Sequence, residues 1–229
     1  ITEQHLLITK TYVMKILNLF KPFRTATILN IAGLTIAFAS FMIIMMQVSY
    51  EQGFDKHYSE SEKIFIIEKA WNDQGDNHYV PWMNRPLVEQ ILTLSPEIRA
   101  GGLMLPIVGE CQVYETEKGP SGSLLEEVVL VTDSLHAVFD MKIIAGDAVS
   151  FSNPEATMIA QSTAKRFFGN EDPIGRLLTV ITDGVTLNFS VAAVFEDLPK
   201  NSSIPNCIHA NIGDINKGVW GNNGSRGFL

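Results

Sequence analysis

The chain has 229 residues, of which 46% are hydrophobic and 18% are charged, and its formal net charge is −8. This apolar mass is enough for one core of ordinary size and excludes a disordered or collagen-like chain. The first 24 residues carry four basic side chains and one acidic side chain, so the rest of the chain is strongly acidic. An acidic main domain argues against a nucleic-acid partner, because phosphate binding needs a concentrated basic surface.

The stretch from Thr25 to Tyr50 has 26 residues without Asp, Glu, Lys or Arg. A helix of that length is roughly 39 Å long, which is enough to cross a hydrocarbon core of about 30 Å. A cleaved signal peptide is disfavoured, because its apolar run is usually only about 7 to 15 residues. We therefore predict a lead-in over residues 1–24, a transmembrane helix over 25–50 and a main domain over 51–229, anchored in the lipid bilayer.

The basic residues near the ends of this span predict its orientation. Four Lys or Arg fall in the 15 residues before Thr25 and two in the 15 residues after Tyr50. The positive-inside rule then places the N-terminus in the cytoplasm and the main domain in the periplasm of a cell with two membranes, so the location is the inner membrane. Before the span, apolar residues at helical spacing predict an amphipathic interfacial helix, with a solvated lead-in as the open alternative: Tyr12, Ile16, Leu19, Phe20 and Phe23.

Small and polar residues of the span recur on one helical stripe, which consists of Ala26, Asn30, Gly33, Ala37, Ser40 and Gln47. Small residues allow close backbone approach, and amide side chains can hydrogen-bond to another helix. We predict that Asn30, Gly33, Ala37 and Ser40 pack against partner helices. The alternative is that the stripe reflects only the ordinary frequency of small residues in spans.

The sequence after the span, residues 51–229, predicts a mixed α+β domain. The helical pattern continues past the span through Phe54 and Tyr58 to Ser61, and a strand-like run follows at residues 64–67. A polar loop is predicted at 72–79, a helix at 82–94, and a helix from a capping Ser162 to Phe168 that Gly169 ends. Further strands are predicted at 98–108, 110–115, 124–132, 156–160, 177–182 and 186–195, the last two joined by a turn at Asp183-Gly184. The chain starts at Ile1 and ends in a Gly/Asn-rich stretch without a predicted element, so we expect a fragment of a longer protein.

Several motifs in order resemble the MacB/FtsX-like permease subunits of ABC transporters, from about residue 14 to about residue 214. They are Asn30-Ile31-Ala32-Gly33-Leu34, Phe54-Asp55-Lys56-His57-Tyr58, Ser95-Pro96-Glu97-Ile98, Ile144-Ala145-Gly146-Asp147, Ala164 to Gly169 with Asp172-Pro173-Ile174-Gly175-Arg176, and Val194 to Pro199 with Asn201-Ser202. Each motif alone is weak, and their order together with the position of the span makes the resemblance specific.

This resemblance implies a first transmembrane helix followed by a periplasmic core domain with a porter-like βαβ lobe and a second, inserted lobe. It also implies a partner ABC ATPase, a second permease copy and, in some systems, a periplasmic adaptor. Permeases of the family have three further spans that this chain does not contain. The function implied is export or mechanotransmission, in which ATP hydrolysis by the partner moves the outer domain.

No catalytic constellation is recognisable in the sequence. No G-x-x-x-x-G-K-[ST] motif is present, so we predict no cofactor for this chain and expect ATPase activity in a separate subunit. The histidines do not have the spacing of metal ligands. The segment from Gly119 to Ser123 lacks the final glycine of a nucleophile elbow, so we predict that this segment is a flexible loop. Cys111 and Cys207 can form a disulfide outside the cytoplasm or stay as buried thiols.

Phe54, Asp55 and His57 directly follow the span, where a charged and aromatic cluster can transmit motion between the membrane and the outer domain. The simpler interpretation is that these residues end the helix and pack it on the core. We therefore predict a permease subunit with no enzymatic activity of its own. The alternative is a single-pass, membrane-anchored sensor or ligand-binding protein.

Overall fold

The computed structural model describes residues 14–15, 24–73, 75–94, 96–107, 110–182, 184–215, 217 and 226–229. The five apolar residues that predict the interfacial helix lie outside this part of the chain. Within the described residues, the α-helices with defined bounds are α1 (Arg24–Gln52), α2 (Arg85–Leu94), α3 (Leu135–Val138) and α4 (Gln161–Phe168). Residues 1–53 and 54–229 form two compact units.

Helix α1 is long and apolar enough to cross a membrane, and no residue of its most apolar segment is buried against other parts of the described chain. The helix ends at Gln52, and the Gly53 N–H, which donates to the carbonyl oxygens of Ser49 and Tyr50, both at 3.1 Å, completes its last turn. Our prediction that the helix continues through Phe54 and Tyr58 is therefore wrong. Asp55 has a φ of +58°, which a continuing right-handed helix does not contain.

Thirteen strands lie in the described part of the second unit. They are β1 (Ile66–Ile67), β2 (Lys69–Asp73), β3 (Asp76–Val80), β4 (Gly102–Pro106), β5 (Cys111–Glu115), β6 (Leu124–Glu126), β7 (Val128–Val131), β8 (Ile143–Gly146), β9 (Ala156–Ala160), β10 (Leu177–Thr182), β11 (Val185–Phe195), β12 (Ile208–Asn211) and β13 (Arg226–Phe228). This mixture of strands and short helices confirms the predicted α+β class.

Eleven of these strands form one mixed sheet in the order β1-β13-β4-β7-β12-β9-β11-β10-β5-β6, with β8 also paired to β11. Strands β9 and β11 are parallel neighbours, and the chain passes from one to the other through α4 and the hairpin strand β10. This is a βαβ-type crossover, as the resemblance implies. A helix therefore lies in the connection between two adjacent parallel strands, which is the arrangement that parallel pairing requires.

The centre of the sheet is buried on both faces. Strands β7, β9 and β12 are buried at every position, and neighbouring residues of one strand belong to different core clusters. One face packs on Phe139 and Phe151, and the other on Phe168 of α4. Continuous apolar runs such as 156–160 are the expected pattern for strands covered on both sides.

Three further predictions are corrected by the structure. The predicted polar loop at 72–79 belongs to a hairpin of β2 and β3, in which the Asn72 side chain donates to Asn77 at 2.9 Å across the strands. The predicted strand at 124–132 is two strands, because the pairing partner changes from β5 to β4 and β12. The last residues were predicted to lack secondary structure, but they form β13, which lies between β1 and β4.

The predicted cap of α4 is also wrong. Ser162 lies inside the first turn, and its N–H donates to Asp197 Oδ1 at 3.0 Å, so a distant carboxylate caps the helix. Gly169 ends the helix as predicted, with φ +61° and its N–H bonded to the Lys165 carbonyl at 3.0 Å. A cap supplied from 35 residues away is not visible in local sequence.

Gly146 is expected to be the glycine least tolerant of replacement in this sheet. Its φ is +76°, and a Cβ there would lie 2.9 Å from the Ala193 Cα and would collide with the Ala192 carbonyl oxygen. We expect Gly146→Ala to lower the free energy of unfolding by about 2–4 kcal/mol, because backbone rather than a flexible side chain must move. Urea unfolding measures this loss. Gly122→Ala, at a site with no atom within 4 Å of the new Cβ, is the control, and an equal loss in both variants would contradict the expectation.

Candidate coupling site

The chain that follows α1 is held by a loop that lies about 150 residues later in the sequence. We refer to residues 54–58 as the docking segment and to residues 197–206 as the receiving loop. Asp55 makes three hydrogen bonds to this loop: its N–H donates to the Asn201 carbonyl at 2.9 Å, its Oδ1 accepts from the Ser203 N–H at 2.7 Å, and its Oδ2 accepts from the Ser203 hydroxyl in a short bond. Asp55 is therefore the polar anchor of the docking segment.

The backbone of Asp55 is unusual, since its φ of +58° is in the left-handed region. Aspartate adopts this conformation more readily than most residues, although it still costs free energy. Two hydrogen bonds from Ser203 to a carboxylate are of the charge-assisted type that offsets such a cost. The turn between the helix and the domain thus depends on this particular side chain.

Tyr58 is the apolar anchor of the docking segment. Its side chain is only 6% exposed and packs edge-on against Phe139, with ring centroids 5.0 Å apart. Its hydroxyl lies 2.6 Å from the Ser202 hydroxyl. Burial raises the pKa of Tyr58 to about 12, so the phenol stays protonated. One side chain therefore connects the docking segment both to the core and to the receiving loop.

The receiving loop is closed on itself by Asn206. Its Oδ1 accepts from the Leu198 N–H at 2.7 Å, and its Nδ2 donates to the Leu198 carbonyl at 2.6 Å. The Ser202 hydroxyl also accepts from the Ile204 N–H at 3.1 Å. Below the loop, His209 Nε2 lies 2.9 Å from the Pro205 carbonyl oxygen. These bonds give the loop a defined shape without secondary structure.

The three residues predicted for mechanical coupling differ in their surroundings. Asp55 contacts the receiving loop as described. Phe54 is 37% exposed, and His57 is exposed with its ring 3.9 Å, centroid to centroid, from that of Tyr58. Sequence reasoning missed Tyr58, Ser202 and Ser203. Two of these stand in motifs that carry the family resemblance, but nothing in their local pattern indicates that the two motifs meet.

An open cleft of about 300 Å³ lies beside the docking segment. It is lined by residues 57–59, by Asp140 and Lys142, and by residues 196–199. Lys142 Nζ and Glu196 Oε2, which are 2.8 Å apart, form an ion pair at its edge. The cleft is polar, and among the described residues no group of three or more His, Cys, Asp or Glu could hold a metal ion.

The predicted helix-packing residues Asn30, Gly33, Ala37 and Ser40 are all exposed on α1. A Cβ on Gly33 would have no atom within 4 Å. The Ser40 hydroxyl donates to the Ile36 carbonyl at 2.9 Å within its own helix. Contact of these residues with partner helices stays a prediction.

The other motifs have structural roles. Asp172 Oδ1 accepts from the Ile174 N–H at 3.0 Å, which forms a local turn, and Arg176 Nη1 donates to the buried Glu115 at 2.9 Å. Residues 120–122 form one exposed turn of 3₁₀-helix. Cys111 and Cys207 are both buried and are not joined by a disulfide.

Comparison with known proteins is consistent with this architecture. A family model described as the MacB-like periplasmic core domain matches residues 27–212. A solved domain of a candidate permease protein from Porphyromonas gingivalis has a TM-score of 0.63 at 18% identity, covering 75% of this chain and 73% of that chain. A search of curated protein sequences gave no match.

Two further solved structures are similar at a lower level. The periplasmic region of MacB from Actinobacillus actinomycetemcomitans has a TM-score of 0.48 at 16% identity, with 77% of this chain and 76% of that chain covered. The extracellular domain of the noncanonic ABC-type transporter YknZ from Gram-positive bacteria has a TM-score of 0.45 at 10% identity, with 65% and 73% covered.

A helix long and apolar enough to span a membrane, followed by an α+β domain with a βαβ crossover, defines a membrane-anchored protein with one mixed-sheet domain. The chain belongs to the family of MacB-like periplasmic core domains, since the family model covers most of its length. The family predicted from the sequence motifs is thereby confirmed.

Proposed function

We propose that this protein is a permease subunit of a MacB/FtsX-type ABC transporter, in which a partner ATPase moves the domain of residues 54–229. The observation that carries the proposal is the family match across residues 27–212, which includes most of α1 and the domain together. The subunit itself has no enzymatic role in this proposal. Export of a substrate and mechanotransmission without transport both fit this arrangement.

The docking segment supports the mechanical part of the proposal. It starts one residue after Gly53, and Asp55 and Tyr58 hold it to the domain by hydrogen bonds and by packing on Phe139. A displacement of the end of the helix can reach the domain only if the connecting chain is firmly held. We assign this role to Asp55 and Tyr58, with Phe54 and His57 as exposed neighbours.

Purification of the tagged chain from membranes of its own host, in mild detergent, tests the proposal. We expect an ATPase with a Walker A motif to co-purify, and we expect ATP with vanadate to change amide hydrogen exchange in residues 54–58 and 201–203. Absence of any such ATPase, or its presence without a nucleotide-dependent change, would overturn the proposal. Co-purification with a cytoplasmic signalling protein instead would favour the anchored sensor.

The orientation proposed is N-terminus in the cytoplasm and main domain in the periplasm, at the inner membrane. We expect a membrane-impermeant maleimide to label Ser121→Cys in cells with a permeabilised outer membrane, and to label Lys15→Cys only after lysis. Both positions are exposed, and the native Cys111 and Cys207 are buried, so background labelling is small. Labelling of Lys15→Cys in intact cells would contradict the positive-inside argument.

Gly33→Leu tests the packing stripe of α1. A Cβ at this position would have no atom outside its own helix backbone within 4 Å, so loss of assembly in this variant would point to contact with a partner helix. We expect several-fold weaker co-purification of two differently tagged copies, or of the chain with its ATPase, with normal membrane insertion. Thr35→Leu, about 200° around the helix, is the matched control. Equal behaviour of both variants would count against the stripe as a contact surface.

A further inference from the structure

We propose that the receiving loop is a relay that joins the docking segment and the first turn of α4 into one mechanical body. A displacement of Asp55 would then move the start of α4. The inference rests on the proposed function only in supposing that the docking segment is displaced during the transport cycle. The link itself is a property of the folded domain and can be measured without nucleotide.

The first half of the link consists of the contacts between the docking segment and residues 201–203. Asp55 binds the backbone at Asn201 and both the N–H and the hydroxyl of Ser203. Tyr58 binds the Ser202 hydroxyl and is held by the core. Three consecutive loop residues are thus bound from one side, so this part of the loop has little freedom to move independently.

The second half of the link is the connection from residue 203 back to residue 197. Asn206 binds the N–H and the carbonyl of Leu198 at 2.7 and 2.6 Å, which ties the two ends of the loop together. Asp197, next to Leu198, accepts the Ser162 N–H in the first turn of α4 at 3.0 Å. A shift of the loop therefore changes the geometry of the helix cap, which is sensitive to small displacements.

Helix α4 extends this link to strand β6. Arg166 Nε and Nη2 donate to the two carboxylate oxygens of Glu126 at 2.8 and 2.6 Å. Such bidentate contacts fix the relative orientation of the two side chains as well as their distance. Glu126 belongs to the edge strand β6. Motion received at Asp55 would thus reach β6 through α4.

Site-resolved amide hydrogen exchange of the full chain in detergent tests the relay. In Asp55→Ala we expect the Ser203 amide and the Ser162 amide to exchange faster together, by about tenfold, the effect of losing one hydrogen bond of this kind. The Gly175 amide, bonded to the Val191 carbonyl at 2.8 Å, should be unchanged and serves as the reference for global unfolding. Asp140→Ala is the matched control, since Asp140 also has a positive φ, of +45°, and its carboxylate accepts from Ser59 and not from the receiving loop among the described residues.

Coupling between two sites is reciprocal, so the relay can also be tested from its other end. In Asp197→Ala we expect the Ser203 amide to exchange faster as well as the Ser162 amide. If Asp55→Ala unfolds the domain, so that the Gly175 amide also exchanges faster, the Asp197→Ala variant alone tests the relay. Faster exchange at Ser203 alone in Asp55→Ala, or at Ser162 alone in Asp197→Ala, would overturn the relay. Neither outcome depends on whether an ATPase binds the chain.

Discussion

Tyr58→Ala is expected to lower the free energy of unfolding of the domain by about 3–5 kcal/mol, the range for removing a large buried aromatic side chain. Tyr58 is nearly inaccessible, and its ring packs against Phe139, which in turn packs against Phe228 with ring centroids 5.0 Å apart. The substitution therefore leaves a cavity within a row of three aromatic rings. Urea unfolding of the full chain in detergent, followed by intrinsic fluorescence, measures the loss.

Tyr58→Phe separates packing from hydrogen bonding. It keeps the ring and removes only the hydroxyl that lies 2.6 Å from Ser202, so we expect a loss of about 1 kcal/mol. The Ser202 hydroxyl keeps its bond from the Ile204 N–H and is not left without a partner. If the phenylalanine and alanine variants lose the same free energy of unfolding, the hydroxyl accounts for the whole contribution of Tyr58 and the packing argument is wrong.

Acid is expected to destabilise the domain through His209, which is wholly buried. Burial lowers the pKa of His209 from 6.5 to about 4, while the bond to the Pro205 carbonyl acts weakly in the other direction. Well above pH 6.5 the side chain is neutral in both folded and unfolded chains, so it contributes no pH dependence there. Between pH 6.5 and pH 4 only the unfolded chain gains the proton. We therefore expect the free energy of unfolding to decrease as the pH is lowered, by about 2 kcal/mol at pH 5 and by roughly 3 kcal/mol below pH 4.

His209→Gln is the variant that isolates this effect. Its amide N–H can still donate to the Pro205 carbonyl, but it does not titrate, so the urea midpoint should depend less on pH between 6.5 and 4.5. His57→Gln, at an exposed position, is the control and should behave as the unmodified chain does. Identical pH dependence in the chain with His209 and in the His209→Gln variant would refute this assignment.

Local sequence predicted the elements whose signals are short-range. The charge-free run from Thr25 predicts α1, and the strand at 156–160, the end of the helix at Gly169 and the hairpin of β10 and β11 all follow from periodicity and turn residues. The family was recognisable because its motifs occur in order along the chain. Each of these signals lies within a few residues of the structure that it determines.

The site was only partly predictable. Asp55 was identified by its charge and its position after the span, but the packing of Tyr58 and its contact with Ser202 were not. These contacts join residues 144 to 148 positions apart, and no local periodicity records such a distance. The prediction of a continuous helix through Tyr58 failed because its apolar spacing was assigned to the helix, whereas the helix ends at Gln52, Asp55 is left-handed and Tyr58 enters the core.

The sequence by itself therefore determined the membrane helix, the α+β class and the family of this protein. Tertiary structure decided where the remote pieces meet: the cap that Asp197 supplies to α4, the place of β13 between β1 and β4, and the docking of Asp55 on Ser203. The physical reason is that helices and turns depend on neighbouring residues, whereas caps from distant loops, strand order and buried hydrogen bonds depend on the packed core, which brings these residues together.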